Sequence, residues 1–399
     1  MRNKRTTVFM AILFTIVGCS DDSDTTPSEA ALSVFSLVET LASDEMGGRD
    51  NLSAGSLLAQ SFLYDELAKI AQPIFPEEQG IDSYLQPYDV GTNVLAVVPG
   101  GELADEYVMI GAHYDGHGSD DVCAGKTADD DICNGANDNA AGVAAVIDIV
   151  RSIVAEGVPR RSIIITLWDG EEDGLVGAEY YVANPIIPLE KTIAYVNFDI
   201  QGANLLPSLR NYTILVGAET GGENFIDASR RAREASSLDT VMLSLIFGQG
   251  RSDHAVLARA GVPSVFFTDA NNGCYHTVKD DIDAVDFPKL EQQIRTANAL
   301  TRELVVTDDV PVFDATAPIS VYGDAEELLL IVEAAQTDVG RFPPEAQVTA
   351  EQFLIDLQAI VDAGPDAFDA AAIGTVLGGA SFFVATLRML ECDPFLAEG

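Results

Sequence analysis

Residues 162–168 read Ser162-Ile163-Ile164-Ile165-Thr166-Leu167-Trp168. They run straight into Asp169-Gly170-Glu171-Glu172-Asp173-Gly174. The first half is apolar without alternation. A strand with one wetted face alternates in period two, whereas a strand covered on both faces is apolar throughout, as in a parallel sheet packed between helices. The second half ends the strand with turn-forming residues and places two glutamates just beyond its carboxyl end. In a chain with 63 Asp and Glu among 399 residues, chance alone generates such pairs. Their meaning therefore depends on what the rest of the sequence brings to the same place.

The pattern repeats outward from this stretch. Residues 93–98, 107–110, 192–198, 212–216 and 264–268 read as further short apolar strands. Helical spacing covers residues 29–41, 54–71, 140–155, a stretch near 223–236 and 284–305. Strands alternating with helices define an α/β fold, a mostly parallel mixed sheet with helices on both faces. From residue 310 the composition shifts. Residues 310–399 carry 15 acids, with Arg341 and Arg388 as the cations, in a helical pattern. A small helical appendage is expected there. Residues 370–387 hold no charge over 18 positions, near the length of a membrane span. Gly374, Gly378 and Gly379 weaken that helix, so burial against the main domain is the expected fate.

The formal charge of −41 argues against a nucleic-acid partner, because phosphate binding needs clustered Lys and Arg. The chain opens with the basic run Met1-Arg2-Asn3-Lys4-Arg5, then a short apolar stretch ending in Ile16-Val17-Gly18-Cys19. This reads as an export signal, residues 1–18, resembling that of bacterial lipoproteins, with Cys19 as the lipidated first residue. Residues 19–28 read as an acidic tether, so the membrane would be reached through lipid on Cys19 only. The remaining cysteines are Cys123, Cys133, Cys274 and Cys392. Export permits disulfides. The short spacing favours Cys123–Cys133; Cys274–Cys392 is possible only by elimination, and whether it forms stays open.

Four histidines occur, and two of them sit with carboxylates where strands end. His113 closes Ile110-Gly111-Ala112-His113-Tyr114-Asp115. Asp138 lies where Asn134-Gly135-Ala136-Asn137 leads into a helix. Asp199 follows Tyr195-Val196-Asn197-Phe198. His276 stands in Gly273-Cys274-Tyr275-His276-Thr277. Singly, each has a plain alternative: Asp138 suits a helix N-cap and Asp199 a turn. Together they put two imidazoles and several carboxylates at the carboxyl rim of the sheet, where open α/β folds bind ligands. That donor set suits hydrolytic zinc.

These pieces resemble the co-catalytic di-zinc exopeptidases, which include bacterial leucyl aminopeptidases and glutamate carboxypeptidase. The resemblance runs from about residue 41 to 305. It rests on His113-Tyr114-Asp115, Asn137-Asp138-Asn139-Ala140-Ala141-Gly142, Glu171-Glu172, Asn197-Phe198-Asp199, Arg251-Ser252-Asp253-His254 and Tyr275-His276-Thr277, with Met46-Gly47-Gly48-Arg49 upstream. It implies a catalytic domain over residues 29–309 that binds two Zn²⁺. His113 and Asp199 would hold one ion, Glu172 and His276 the other, and Asp138 would bridge them. Asp115 would orient His113, Glu171 would be the general base, and Tyr275 would face the developing oxyanion. Asp253, His254 and Asp280 would support structure, and His117 reads as a loop or rim residue. The implied activity is hydrolysis of N-terminal residues from peptides. A carboxypeptidase or dipeptidase would need cations for the substrate carboxylate, with Arg210 and Arg251 nearest in sequence. A glutaminyl cyclase-like reading is disfavoured because His113 supplies the first His that such relatives lack. A non-catalytic binding relative would be expected to have lost ligands that this chain retains.

Overall fold

The computed structural model describes residues 32–393. The export signal, Cys19 and the acidic tether lie outside the described residues. Among the described residues, nine strands form one sheet: β1 (Gln72–Pro73), β2 (Leu85–Tyr88), β3 (Gly91–Val98), β4 (Leu103–His113), β5 (Arg161–Trp168), β6 (Thr192–Phe198), β7 (Tyr212–Val216), β8 (Asp239–Leu243) and β9 (Ser264–Thr268). The order is β1-β3-β5-β4-β6-β9-β7-β8, with β2 paired to β3. The centre, β5-β4-β6-β9, is parallel. The expectation of a mostly parallel sheet describes this centre. On one side β3 runs antiparallel to β5 and carries β1 and β2 antiparallel. On the other, β7 runs antiparallel to β9, with β8 parallel to β7.

Burial explains why the opening stretch carries no alternation. Ile163, Ile164 and Ile165 are each 0% exposed, although successive side chains leave opposite faces of the strand. Each such side chain contributes about 1.5–3 kcal/mol relative to exposure. Ile164 packs with Met109, Trp168, Tyr181, Tyr195, Val256 and Leu257. That layer is closed by α4 (Val176–Ala183) and α6 (His254–Arg259). The opposite face is covered by α3 (Ala141–Val154) and α7 (Phe287–Val306), with α1 (Val34–Leu41) on α3 and α5 (Gly222–Ala232) on α7.

The C-terminal segment forms α8 (Tyr322–Ala335), α9 (Pro344–Ala363) and α10 (Ala370–Arg388). These helices share one hydrophobic core with Val216, Val241, Leu243 and Phe266 at the sheet edge. The appendage is thus continuous with the main fold. Helix α10 is covered less than expected: it buries Val376, Phe383, Thr386 and Leu387, and most of its other positions are half-buried or exposed. Gly379 lies where Phe353 of α9 presses close, so a side chain there would collide with that ring. By length and composition α10 could cross a membrane. The expected disulfide Cys123–Cys133 is formed, and so is Cys274–Cys392, which the sequence left open.

Candidate active site

The carboxyl ends of the four central parallel strands make one rim. His113 ends β4, Asp199 follows β6, and Glu171 and Glu172 lie just past β5. His276 reaches the same place from the loop after β9, with its backbone in the left-handed region at φ 57°. Asp138 arrives on the loop preceding α3.

Asp138 is the centre of the arrangement. Its Oδ1 lies 3.1 Å from His113 Nε2, which is also 3.4 Å from Asp199 Oδ1. Its other oxygen, Oδ2, lies 3.3 Å from His276 Nε2, which is in turn 3.3 Å from Glu172 Oε2. His113 Nε2, Asp199 Oδ1 and His276 Nε2 are buried and lack hydrogen-bond partners. Zinc–ligand bonds of about 2.0–2.2 Å in tetrahedral geometry place ligand atoms roughly 3.3–3.6 Å apart. The spacing and the orphaned atoms therefore fit a pair of divalent cations. Without cations the imidazoles take up protons instead. Burial opposes this at His276, but Asp138 and Glu172 overcome it and push the pKa up to about 10. Burial alone would raise Asp138; the hydrogen bonds and charge of His113 and His276 instead hold it far below the usual carboxylate range.

Buried supports fix these groups. Asp280 accepts from the backbone N–H of Asn137 at 2.8 Å and of Asp138 at 3.1 Å. Arg49, fully buried, donates to the carbonyl oxygens of Leu41, Tyr114, Asn134 and Gly135. It thereby joins the His113 segment to the Asp138 loop. Gly135 has φ 59°, and a Cβ there would overlap the Asp138 carbonyl oxygen and crowd Arg49. Tyr195 Oη, which accepts from Trp168 Nε1 at 2.8 Å, donates to Asn197, whose Nδ2 donates to Ser252 Oγ at 2.7 Å. This relay ends beside Asp199.

Asp115 has a wider task than orienting His113. Its carboxylate lies 3.4 Å from His113 Nδ1, while its own carbonyl oxygen is nearer, at 3.2 Å. The carboxylate oxygens accept instead from the backbone N–H of Glu171 and of Glu172, each at 3.2 Å. The two glutamates themselves differ. The Glu172 carboxylate joins the His276 group, whereas Glu171 belongs to neither group of facing donors and lines the adjoining cleft. Burial pushes the Glu171 carboxyl well above its usual range; the charge of His113 opposes this, and Asp199 and Glu172 add to it.

That cleft is also lined by Ile200, Phe247, Arg251, Phe266, Tyr275 and Val384 of α10. The Tyr275 ring stacks on His276, with centroids 3.6 Å apart, and Arg388 lies over it at 4.9 Å. The Cys274–Cys392 bond ties this loop to the residues following α10. Arg210 pairs with Asp286 at 2.6 Å. His254 is buried on Phe266, and burial lowers its pKa to about 3.

His117 lies on the loop after β4, as expected, but it is buried there against the site. It is 8% exposed, and its Nε2 lies 3.0 Å from Glu172 Oε2. Its ring meets that of His276 edge-on, 4.2 Å between centroids. The sequence signal available was Asp120, three residues later, which pairs with its other ring nitrogen.

A buried carboxylate facing two sets of imidazole and carboxylate, at the rim of an α/β sheet, is the donor chemistry of metal-dependent hydrolases. Peptidase family M28 matches residues 93–301. The chain belongs to this family of zinc peptidases. Leupeptin-inactivating enzyme 1 of Streptomyces exfoliatus is 28% identical over 235 residues, 57% of this chain and 46% of that protein. A probable glutamate carboxypeptidase, VP8 of Zea mays, is 34% identical over 117 residues, 28% of this chain and 14% of that protein. The chain thus spans about half the length, or less, of these curated relatives. The LapA aminopeptidase structure of Legionella pneumophila superposes with a TM-score of 0.53 at 16% identity, covering 70% of this chain and 72% of that one. That likeness concerns the fold.

Proposed function

We propose that this chain is a di-zinc aminopeptidase that removes N-terminal residues from peptides. The observation carrying the reading is Asp138, whose two oxygens face different imidazoles, His113 and His276, each with a further carboxylate beside it. His113, Asp138 and Asp199 would hold one zinc, and Asp138, Glu172 and His276 the other. When bound, the zinc pair supplies Lewis acidity and brings water within reach of deprotonation near neutral pH. Glu171 takes the proton from the attacking water and returns it to the leaving amine. Tyr275 donates to the oxyanion. The carboxylate-rich rim favours a substrate with a free ammonium terminus, and Ile200, Phe247, Phe266 and Val384 favour an apolar first side chain.

Arg251 in the cleft wall is the observation on the side of a carboxypeptidase. Aminoacyl anilides and N-acylated peptides separate the two readings. The aminopeptidase reading requires cleavage of the former, loss of activity with chelator and recovery with zinc. Cleavage of N-acylated peptides alone favours the carboxypeptidase. A folded protein that binds no zinc and cleaves neither is a binding relative. Cys19, its preceding apolar stretch and two disulfides support an exported lipoprotein held by lipid. Cys19→Ala protein that is still processed and membrane-bound would refute that anchor.

A further inference from the structure

The zinc-family ligand set accounts for His113, Asp138, Glu172, Asp199 and His276. It leaves one buried imidazole beside them unexplained. His117 Nδ1 lies 2.9 Å from Asp120 Oδ2. A carboxylate on one ring nitrogen fixes the proton there and leaves the lone pair on the other, the arrangement found behind metal-ligating histidines. The other nitrogen, Nε2, is buried, makes no hydrogen bond and points at Glu172 Oε2 from 3.0 Å. His117, Glu172 and His276 each present a ligand atom, all within 4.8 Å of one another.

The loop carrying His117 is built to hold it there. Asp120 is itself fixed by the backbone N–H of Val122 at 2.8 Å and of Cys123 at 3.0 Å. Cys123 is bonded to Cys133, and Cys133 N–H donates to the Gly118 carbonyl at 2.7 Å. The same loop reaches the far ligand: Ala124 N–H donates to the His276 carbonyl at 2.9 Å, and Val278 N–H to the Ala124 carbonyl at 3.0 Å. The disulfide-stapled loop thus both braces His276 and delivers His117.

We infer that His117 is a further protein ligand of the zinc held by Glu172 and His276. This rests on the two-zinc reading above. The consequence is an unequal pair. The Glu172 site has four protein donors, two imidazoles and two carboxylates including Asp138. The Asp199 site has three. A four-donor set resembles closed sites that retain metal, and a three-donor set leaves a coordination position open. Zinc at the Glu172 site should therefore outlast zinc at the Asp199 site under a chelator.

The test measures zinc per chain by elemental analysis during graded dialysis against a chelator, with folding followed by circular dichroism. Wild type should pass through a plateau near one zinc per chain. His117→Ala should lose that plateau, with the retained zinc weakened by roughly 100-fold or more, since even partners behind a ligand are worth about 10–100-fold. His117→Gln keeps a donor toward Glu172 but is a poor ligand, and should behave like His117→Ala. In cobalt-loaded protein the visible spectrum should change with either variant. Folded His117→Gln that retains metal as wild type does would make His117 a hydrogen-bond donor to Glu172 and overturn the inference while leaving two-zinc binding intact. Wild type that binds no zinc would remove the underlying reading and the inference with it.

Discussion

Asp115→Asn isolates the contact that sequence could not show. The carboxylate receives two buried backbone N–H groups, from Glu171 and Glu172, one on each oxygen. A carboxamide offers one oxygen, so its NH₂ must face the other N–H. An orphaned buried donor costs about 1–3 kcal/mol, and turning the surviving charge-assisted bond into a neutral one costs about 1 kcal/mol more. Losing a negative charge also relieves repulsion among the neighbouring carboxylates, but only while no cation offsets it. The penalty should therefore be largest in zinc-loaded protein. The expected outcome is about 2–4 kcal/mol less stability in the loaded form and zinc affinity lower by about 10–100-fold. Denaturant unfolding with and without zinc, together with chelator competition, measures both. Wild-type zinc affinity and an unchanged loaded-state stability would refute the idea that Asp115 holds the glutamate loop.

Two other outcomes follow from groups further out. Glu219 is raised to about 7 by burial; its hydrogen bond from Leu245 N–H opposes the shift and Asp324 adds to it. A carboxyl whose folded pKa is raised favours folding below the unfolded value near 4.5 and loses that contribution as pH rises through about 7. Glu219→Gln should match wild type near pH 4.5 and exceed it by about 1–3 kcal/mol above pH 8; a difference independent of pH would contradict this. Cys392→Ser opens a bond that spans 118 residues and anchors the loop before Tyr275. It should lower stability by about 2–4 kcal/mol and raise KM by loosening the cleft wall; thermal unfolding indistinguishable from wild type would sink the structural part of this expectation.

What was legible in the sequence was local. The apolar runs of β3, β5, β6 and β9 mark themselves because both faces are buried. Glu171, Glu172 and Asp199 mark themselves because each sits just beyond such a run, and His113 because it closes β4; Asp138, on the loop before α3, and His276, well into the loop after β9, carry no such mark. The edges were less legible. The short strand β2 contains Pro87, which an edge position tolerates because one of its sides needs no ladder donor. Helices α4 and α6 span eight and six residues, too few turns for periodicity to stand out. Contacts between distant segments were invisible: Arg49 reaches Asn134 and Gly135, and Asp115 reaches Glu171 and Glu172, through backbone atoms that carry no residue signature. The contacts of the rim residue His117 were hidden because its partners, Glu172 and His276, come from loops that only the closed sheet brings together.

The two adjacent glutamates past β5 give the most direct test of the central claim, that one is a base and the other a ligand. The measurement is zinc per chain alongside turnover in Glu171→Gln and Glu172→Gln. Glu171→Gln should keep both zinc ions while turnover falls by about 10²–10⁴, the contribution of a positioned general base. Glu172→Gln should lose or weaken one zinc, with part of its activity returning in excess metal. Equal zinc loss in the two variants, or wild-type turnover in Glu171→Gln, would contradict the account.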